Sequence, residues 1–182
     1  MNSEAIKKKQ VYQLLSKGKF ITEHSRDYQV KSLYENIKEN EEEYRRYFAE
    51  EGLILDHGRG YYQFCFEEPS SNPSAALSLV KKYISIYNIL IAFRDDIGVG
   101  TDFTRKDFYD AVPKDEDLQR ELQGYTRREN YRDVINDIIA KLREDGIIER
   151  FQDDDGERFF VTSAYNYLED LYDETKVYNE ES

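Results

Sequence analysis

The sequence predicts an α+β, mostly helical chain: two tandem winged-helix domains, residues 1–69 and 74–182, the second closing with a helix and a frayed acidic tail. Three observations carry this. The order helix, helix, helix, glycine, strand, turn, strand occurs twice. The copies are parted at Glu67–Ser74 (EEPSSNPS), where two prolines and several serines interrupt the periodic pattern. The passage from helix to hairpin reads EEGLIL at Glu50–Leu55 and EDGIIE at Glu144–Glu149, an acidic pair, a glycine and two aliphatics in each.

In the first half, Val11, Leu14 and Leu15 form an apolar stripe on an opening helix, and Val30, Leu33, Tyr34 and Ile37 form one on a second. Asn40 with Glu43 three residues on predicts the cap of a third helix, continued by Tyr44, Tyr47 and Phe48. Gly52 suits a left-handed C-terminal residue. LILD and YYQFCF then flank HGRG, a glycine-bounded turn between strands.

The second half has longer pieces. Ser74 after Pro73 is expected to cap a helix that reaches about Asp95. Thr104 can cap the next, Asp107 can answer it, and Phe103 can staple against Phe108. Pro113 stops that helix, and Asp115 starts a short one through Leu118 and Leu122. TRRE at Thr126–Glu129 reads as a capping box for the most regular helix, with Tyr131, Val134, Ile135, Ile138, Ile139 and Leu142 on one face. Gly146 ends it, a hairpin follows through the acidic turn Asp153–Asp155, and a last helix spans Ser163 to about Glu174.

Composition supports a folded chain. Apolar residues make up 39% and charged residues 35%, yet 16 Tyr and 10 Phe supply the large buried area that disordered chains lack. The net charge of −12 opposes a free-standing DNA reader, whose domain is ordinarily basic. The N-terminus is amphipathic rather than a basic region followed by an apolar run, so no signal peptide is expected. The strongly apolar stretch Ile84–Phe93 is too short to span a bilayer and contains Asn88, so no membrane partner is expected. The single cysteine, Cys65, allows no internal disulfide and reads as a small core residue in a reducing cytoplasm.

Catalytic and cofactor chemistry find no motif. His24 and His57 fall in separate elements with no Ser or Cys partner in a recognisable pattern, and there is no Walker lysine loop. No enzyme, cofactor or metal site is expected. Asp153–Glu157 (DDDGE) lacks the alternating acids and distant Glu of a calcium loop, and reads as a solvated turn. GVG at Gly98–Gly100 follows a helix rather than a strand, the wrong order for a phosphate cradle.

For DNA, helix-turn-helix readers present the N-terminal residues of their recognition helix. In the first half that position holds Glu41, Glu42 and Glu43, which suit the helix dipole and repel phosphate. The second half offers Arg127, Arg128 and Arg132, with Arg105 and Lys106 at the preceding helix start. Arg59 in the HGRG turn, with Lys17 and Lys19, forms a weaker patch. Each of these cations has an alternative reading as a solvated side chain paired with the abundant carboxylates.

For protein partners, the long helix from Ser74 is apolar on two faces. Leu77, Val80, Ile84, Tyr87 and Ile91 form one stripe; Leu79, Tyr83, Ile86, Leu90 and Phe93 form another. The second stripe is expected to bury against the other domain, a second copy or a partner. On the aromatic strand Tyr61–Phe66, Tyr62, Phe64 and Phe66 face one way and Tyr61 and Cys65 the other. An available edge there would suit strand addition by an extended segment.

The segments Leu14–Ile21 (LLSKGKFI), Arg45–Phe64 (RRYFAEEGLILDHGRGYYQF), Phe93–Phe108 (FRDDIGVGTDFTRKDF) and Glu129–Glu149 (ENYRDVINDIIAKLREDGIIE) resemble the MksE and MukE group of bacterial condensin subunits, the tandem winged-helix KITE proteins. The resemblance runs over nearly the whole chain, with the shorter MksE-like branch the nearer, and the Wadjet B-type subunit is a close relative. It implies a homodimer that binds a kleisin subunit (MksF- or MukF-like) and through it joins an SMC ATPase (MksB- or MukB-like). Such complexes organise chromosomal DNA or, in Wadjet systems, eliminate plasmids. DNA would be met weakly or only within the complex, and the protein would be cytoplasmic and nucleoid-associated. The reading of a different class is a free-standing winged-helix transcription regulator, which the net charge, the acidic turn and Glu41–Glu43 oppose.

Overall fold

The computed structural model describes residues 3–66, 73–126, 128 and 130–180. The break at 67–72, Arg127 and Glu129 lie outside them. The elements, in chain order, are α1 (Ser3–Leu15), β1 (Ile21–Thr22), α2 (Tyr28–Glu39), α3 (Glu41–Ala49), β2 (Leu53–Gly58), β3 (Tyr61–Phe66), α4 (Pro73–Phe93), β4 (Asp102–Phe103), α5 (Arg105–Ala111), α6 (Glu116–Tyr125), α7 (Tyr131–Asp145), β5 (Ile148–Asp153), β6 (Gly156–Val161) and α8 (Tyr165–Glu180). A 3-10 turn at Val112–Lys114 joins α5 to α6. The chain is α+β and mostly helical, with two small antiparallel sheets.

The sheets have the same plan. Each is three-stranded, in the orders β1-β3-β2 and β4-β6-β5, so the second hairpin strand is central in both. The outer partners are two-residue strands: Ile21 and Thr22 pair with Tyr62 and Tyr61, and Asp102 and Phe103 pair with Phe160 and Phe159. Two residues carry no periodicity, which is why the sequence did not announce β1 or β4.

Each half has its own core. Val11, Leu15, Ile21, Val30, Leu33, Tyr34, Ile37, Tyr44, Phe48, Leu55 and Tyr62 bury together in the first. The second gathers the aliphatic face of α7, Ile86, Ile89 and Leu90 of α4, the Phe93–Phe103–Phe108–Phe159 ring cluster, and Tyr165 and Leu168 of α8. Phe20 and Tyr61 come from the first half of the chain yet belong to this second core, against Tyr167. The halves are therefore packed on one another.

Polar bonds complete that junction. Phe20 N donates to the Asp145 carbonyl at 2.8 Å, and His24 N donates to Ser163 Oγ at 3.2 Å. Arg26 N donates to Glu149 at 2.6 Å, and its guanidinium lies 3.9 Å from the Phe151 ring centroid. Gly60, at φ 84°, comes so close to Ser163 that an added Cβ would meet its Cβ at 3.0 Å. Glycine is required there by both the left-handed backbone and the close approach.

Several expected caps form and three do not; the first of these is Ser74, which lies inside α4 because that helix already starts at Pro73, and α4 ends at Phe93. Thr104 and Asp107 make the reciprocal capping box of α5, and Phe103 meets Phe108 edge-on at 6.2 Å. Asp115 caps α6 through Leu118 N. Gly52 and Gly146 are left-handed, at φ 72° and 78°. Asn40 precedes α3, but its side chain turns back to donate to the Asn36 carbonyl at the end of α2 and makes no cap. The cap of α7 is Asn130, which accepts from Arg132 N, so this helix starts four residues later than TRRE implied. Asn130 wins because its short amide reaches the N2 amide directly. Thr126 instead closes α6 and accepts from Arg128 N at 3.4 Å. At the C-terminus α8 starts at Tyr165 and runs to Glu180, past the expected end near Glu174.

The 21-residue α4 corrects one expectation about length. Ser74–Phe93, with mean hydropathy 1.4, is long and apolar enough by composition to cross a membrane. Its C-terminal half is instead core: Ile86 and Ile89 have no exposure, Leu90 has 1%, and the Tyr83 hydroxyl bonds Asp145.

Candidate functional site

The cations expected to face DNA are largely committed within the chain. Arg59 reaches across the junction to Glu169 at 2.9 Å and Asp170 at 2.8 Å on α8, while its carbonyl accepts from Asn166. Arg105 pairs with Glu157, donates to Asn136 at 3.1 Å and lies over the Phe159 ring. Lys106 pairs with Asp110 at 2.7 Å, one helical turn on, and that bond holds the Asp110 carboxyl below its usual range. Arg132 packs over Tyr109, its guanidinium 5.3 Å from the ring centroid. Arg128 pairs with Asp137. These findings correct the picture of a basic helix start: Arg128 sits in the loop before Asn130, and Arg127 lies outside the described residues.

Two of the three glutamates opening α3 are also used internally. Glu41 accepts from Arg45 at 2.9 Å and from the Tyr62 hydroxyl at 2.9 Å, with His57 at 3.2 Å; Glu43 pairs with Lys8. Burial alone would raise the Glu41 carboxyl, but the bonds from Arg45 and Tyr62 outweigh it and hold it below its usual range. Glu41 thus ties α3 to the hairpin of its own half.

The acidic turn opposite is self-contained. Asp153 accepts from Asp155 N at 3.0 Å and lies 3.4 Å from Arg158, which also pairs with Asp102. Among the described residues, no group of three His, Cys, Asp or Glu side chains is placed to hold a metal ion.

The expected partner-facing residues divide. Tyr61 and Tyr62 are 4% and 3% exposed, and Tyr83, Ile86 and Leu90 are likewise buried. Tyr83, Ile86 and Leu90 bury in the chain's own second core, which Phe20 and Tyr61 of the first half also enter, while Leu79 of the same stripe is exposed. Burial is the main reason the Tyr61, Tyr62 and Tyr83 hydroxyls are all pushed up from the ordinary phenol value. Phe64 is half-buried, packed at 4.8 Å on Phe48. Strand β3 is also not an edge strand: β2 flanks it along its length and β1 covers Tyr61 and Tyr62. Among the described residues the edges of this sheet are β1 and β2, of which β2 is the longer, at six residues against two.

Exposed apolar surface lies elsewhere. On α4, Leu77 is 55%, Leu79 44% and Ile91 39% exposed, and Ser74–Leu79 stand clear of both cores. Tyr12 and Tyr47, 48% and 42% exposed, line a groove of about 510 Å³ with Phe48 and Leu53 between α1, α3 and the start of β2. Sequence reading missed this groove because its residues come from three elements; only Tyr12, off the α1 stripe of Val11, Leu14 and Leu15, signalled it.

A second groove, of about 440 Å³, runs between α4 and the α6–α7 loop and is lined by Lys81, Lys82, Ser78, Ser85, Thr126 and Arg128. Lys81 and Lys82 are the only charged residues of α4. Their helical neighbours at three and four residues are Leu77, Ser78, Leu79, Ile84, Ser85 and Ile86, so α4 supplies them no counter-ion.

The family model for condensin complex protein MksE matches residues 7–172 of the 182. A search of curated proteins finds no match to the chain.

Proposed function

Because the chain belongs to the MksE family of condensin complex proteins, we propose that it is a non-catalytic, dimeric KITE subunit that binds a kleisin and so joins an SMC ATPase in the cytoplasm. The observation that carries the architectural part is the repeated sheet order, β1-β3-β2 and β4-β6-β5, each following helices and preceded by a two-residue outer strand. That repeat supports reading the chain as two winged helices in tandem, and the two core clusters support a boundary in the 70–73 region.

The partner part rests on exposed surface. A groove flanked by Tyr12 and Tyr47, next to the one-sided strand β2, suits an extended kleisin segment. The uncovered Leu77 and Leu79 of α4 support pairing with a second copy. On this reading the ATP chemistry belongs to the SMC partner. The complex would organise DNA, on the chromosome or against plasmids.

The test is co-purification with a kleisin-like protein from the same genome, with complex mass measured by light scattering. Two copies per kleisin middle segment is the expected result, and failure to co-elute would sink the partner reading. A regulator acting alone would instead bind one short duplex tightly with sequence preference.

A further inference from the structure

We propose that Arg45 is a removable guard on the free edge of β2, closing the first hairpin to an added strand until an extended partner segment displaces it. The identity of that partner, a kleisin segment, rests on the reading above; the guard itself rests on geometry.

Strand alternation fixes which groups this edge presents. Glu23 N donates to the Gly60 carbonyl at 2.9 Å, so Gly60, Tyr62 and Phe64 turn their main-chain groups to the β1 side, and Tyr61, Gln63 and Cys65 turn theirs to β2. The partners of these last three are Gly58, Asp56 and Ile54. The main-chain N–H and C=O groups of Leu53, Leu55 and His57 therefore point outward, where an added strand would pair.

The middle of that row is occupied. Arg45 Nη1, from α3, donates to the Leu55 carbonyl at 2.6 Å. The same guanidinium meets Glu41 through Nε at 2.9 Å and Nη2 at 2.8 Å. Its Nη2 also lies 2.7 Å from His57 Nδ1, an acceptor in the neutral ring. Glu41 is held in turn by the Tyr62 hydroxyl of β3. A planar fork of donors serves all three partners at once. It lies along the edge from Leu55 to His57, and no strand pairs there while it stays.

The two long edges are protected differently. On β5, the long edge of the other sheet, Glu149, Arg150 and Asp153 lie in the strand itself, the usual safeguard against unwanted pairing. On β2, Leu53, Ile54 and Leu55 run together and Asp56 is the formally charged residue, so Arg45 supplies the missing charge from a neighbouring helix. Unlike a charge in the strand, this one can leave. Its side chain is 32% exposed, and the Tyr12–Tyr47 groove reaches Leu53 at the start of the same edge. A segment lying in the groove and continuing along β2 meets Arg45 next, and its own N–H replaces the guanidinium on the Leu55 carbonyl.

A guard lowers the fraction of chains open to the partner, so removing it speeds association and leaves dissociation unchanged. The experiment follows binding of the full chain to an immobilised kleisin-like protein from the same genome, with sedimentation of each variant alone. Arg45→Met should associate about tenfold faster, the scale of one hydrogen bond from a charged donor. Arg45→Lys, which cannot serve Glu41, His57 and Leu55 together, should fall between, and carries the test if Arg45→Met does not fold. Arg46→Met, the next residue of α3, should change neither rate. Residue-resolved hydrogen exchange should show the Leu53, Leu55 and His57 amides protected in the complex. Unchanged or slower association of the Arg45 variants, or outward amides left unprotected, would overturn the guard while keeping the kleisin reading. If no variant binds the kleisin, that reading fails instead. The guard then stands if Arg45→Met forms larger assemblies than the wild type at raised concentration, through its opened edge, and falls if it does not.

Discussion

The Tyr83 hydroxyl donates to Asp145 at 2.8 Å in a buried position, and the same aspartate accepts from Lys141 at 2.8 Å. Asp145 ends α7, and its main-chain carbonyl accepts from Phe20 of the first half. One residue thus joins α4, α7 and the junction between the halves.

Removing Asp145 leaves the Tyr83 hydroxyl and a mostly buried ammonium without their acceptor. Asp145→Ala is expected to lower stability by about 3 kcal/mol, and Tyr83→Phe, which leaves Lys141 paired, by about 1 kcal/mol. Urea denaturation of both variants checks this. Equal losses would show that the hydroxyl, rather than the carboxylate, holds the junction.

The start of α7 is a second point where mutation separates two arrangements. With Asn130 as the cap, Asn130→Ala should cost about 1 kcal/mol, while Thr126→Ala should stay within about 0.5 kcal/mol. Thermal melts of the two variants decide. A larger loss at Thr126 would restore the earlier helix start and return Arg128 to a helix end.

That case shows what was legible in the sequence. The long helices, the hairpins and their glycines were readable because each is fixed by neighbours a few residues away: the α7 stripe, the Thr104–Asp107 box, the left-handed Gly52 and Gly146. Partners of the surface charges were not. Arg59 pairs with residues more than 100 positions on, and β1 and β4 are too short to leave a pattern. For the same reason the aromatic strand is central rather than at an edge, and the sequence left open which neighbour covers the Tyr83–Ile86–Leu90 stripe. What covers a face is decided by elements distant in the chain.

The buried tyrosines predict alkaline lability. Desolvation raises the Tyr44 hydroxyl from 10.0 to about 12, and Tyr34, Tyr61, Tyr62, Tyr83 and Tyr165 also shift upward. For a phenol the raised form is the neutral one, so the unfolded chain loses its protons first as pH rises. Above pH 10 the unfolded state therefore binds fewer protons, and stability is present below that pH and lost as it climbs towards 12. The absorbance of the buried tyrosinates should rise only together with loss of far-UV ellipticity. A single smooth titration with the fold retained would contradict this burial.

The N-terminal half of α4 gives the last prediction. Leu77 and Leu79 touch neither core, so charge placed on them should leave the folded chain within about 0.5 kcal/mol of its original stability. If this face pairs with a second copy, the same charge would be buried against apolar surface, and association should weaken by tens-fold or more. Sedimentation of Leu77→Glu/Leu79→Glu against the wild type measures it: a dimer becoming a monomer with an unchanged melting temperature is the expected outcome. An unaltered dimer would move the interface to the Tyr12–Tyr47 groove. Tyr12→Glu would then be the variant that dissociates it, since Tyr12 is half-exposed and makes only a peripheral ring contact with Phe64, at 6.4 Å.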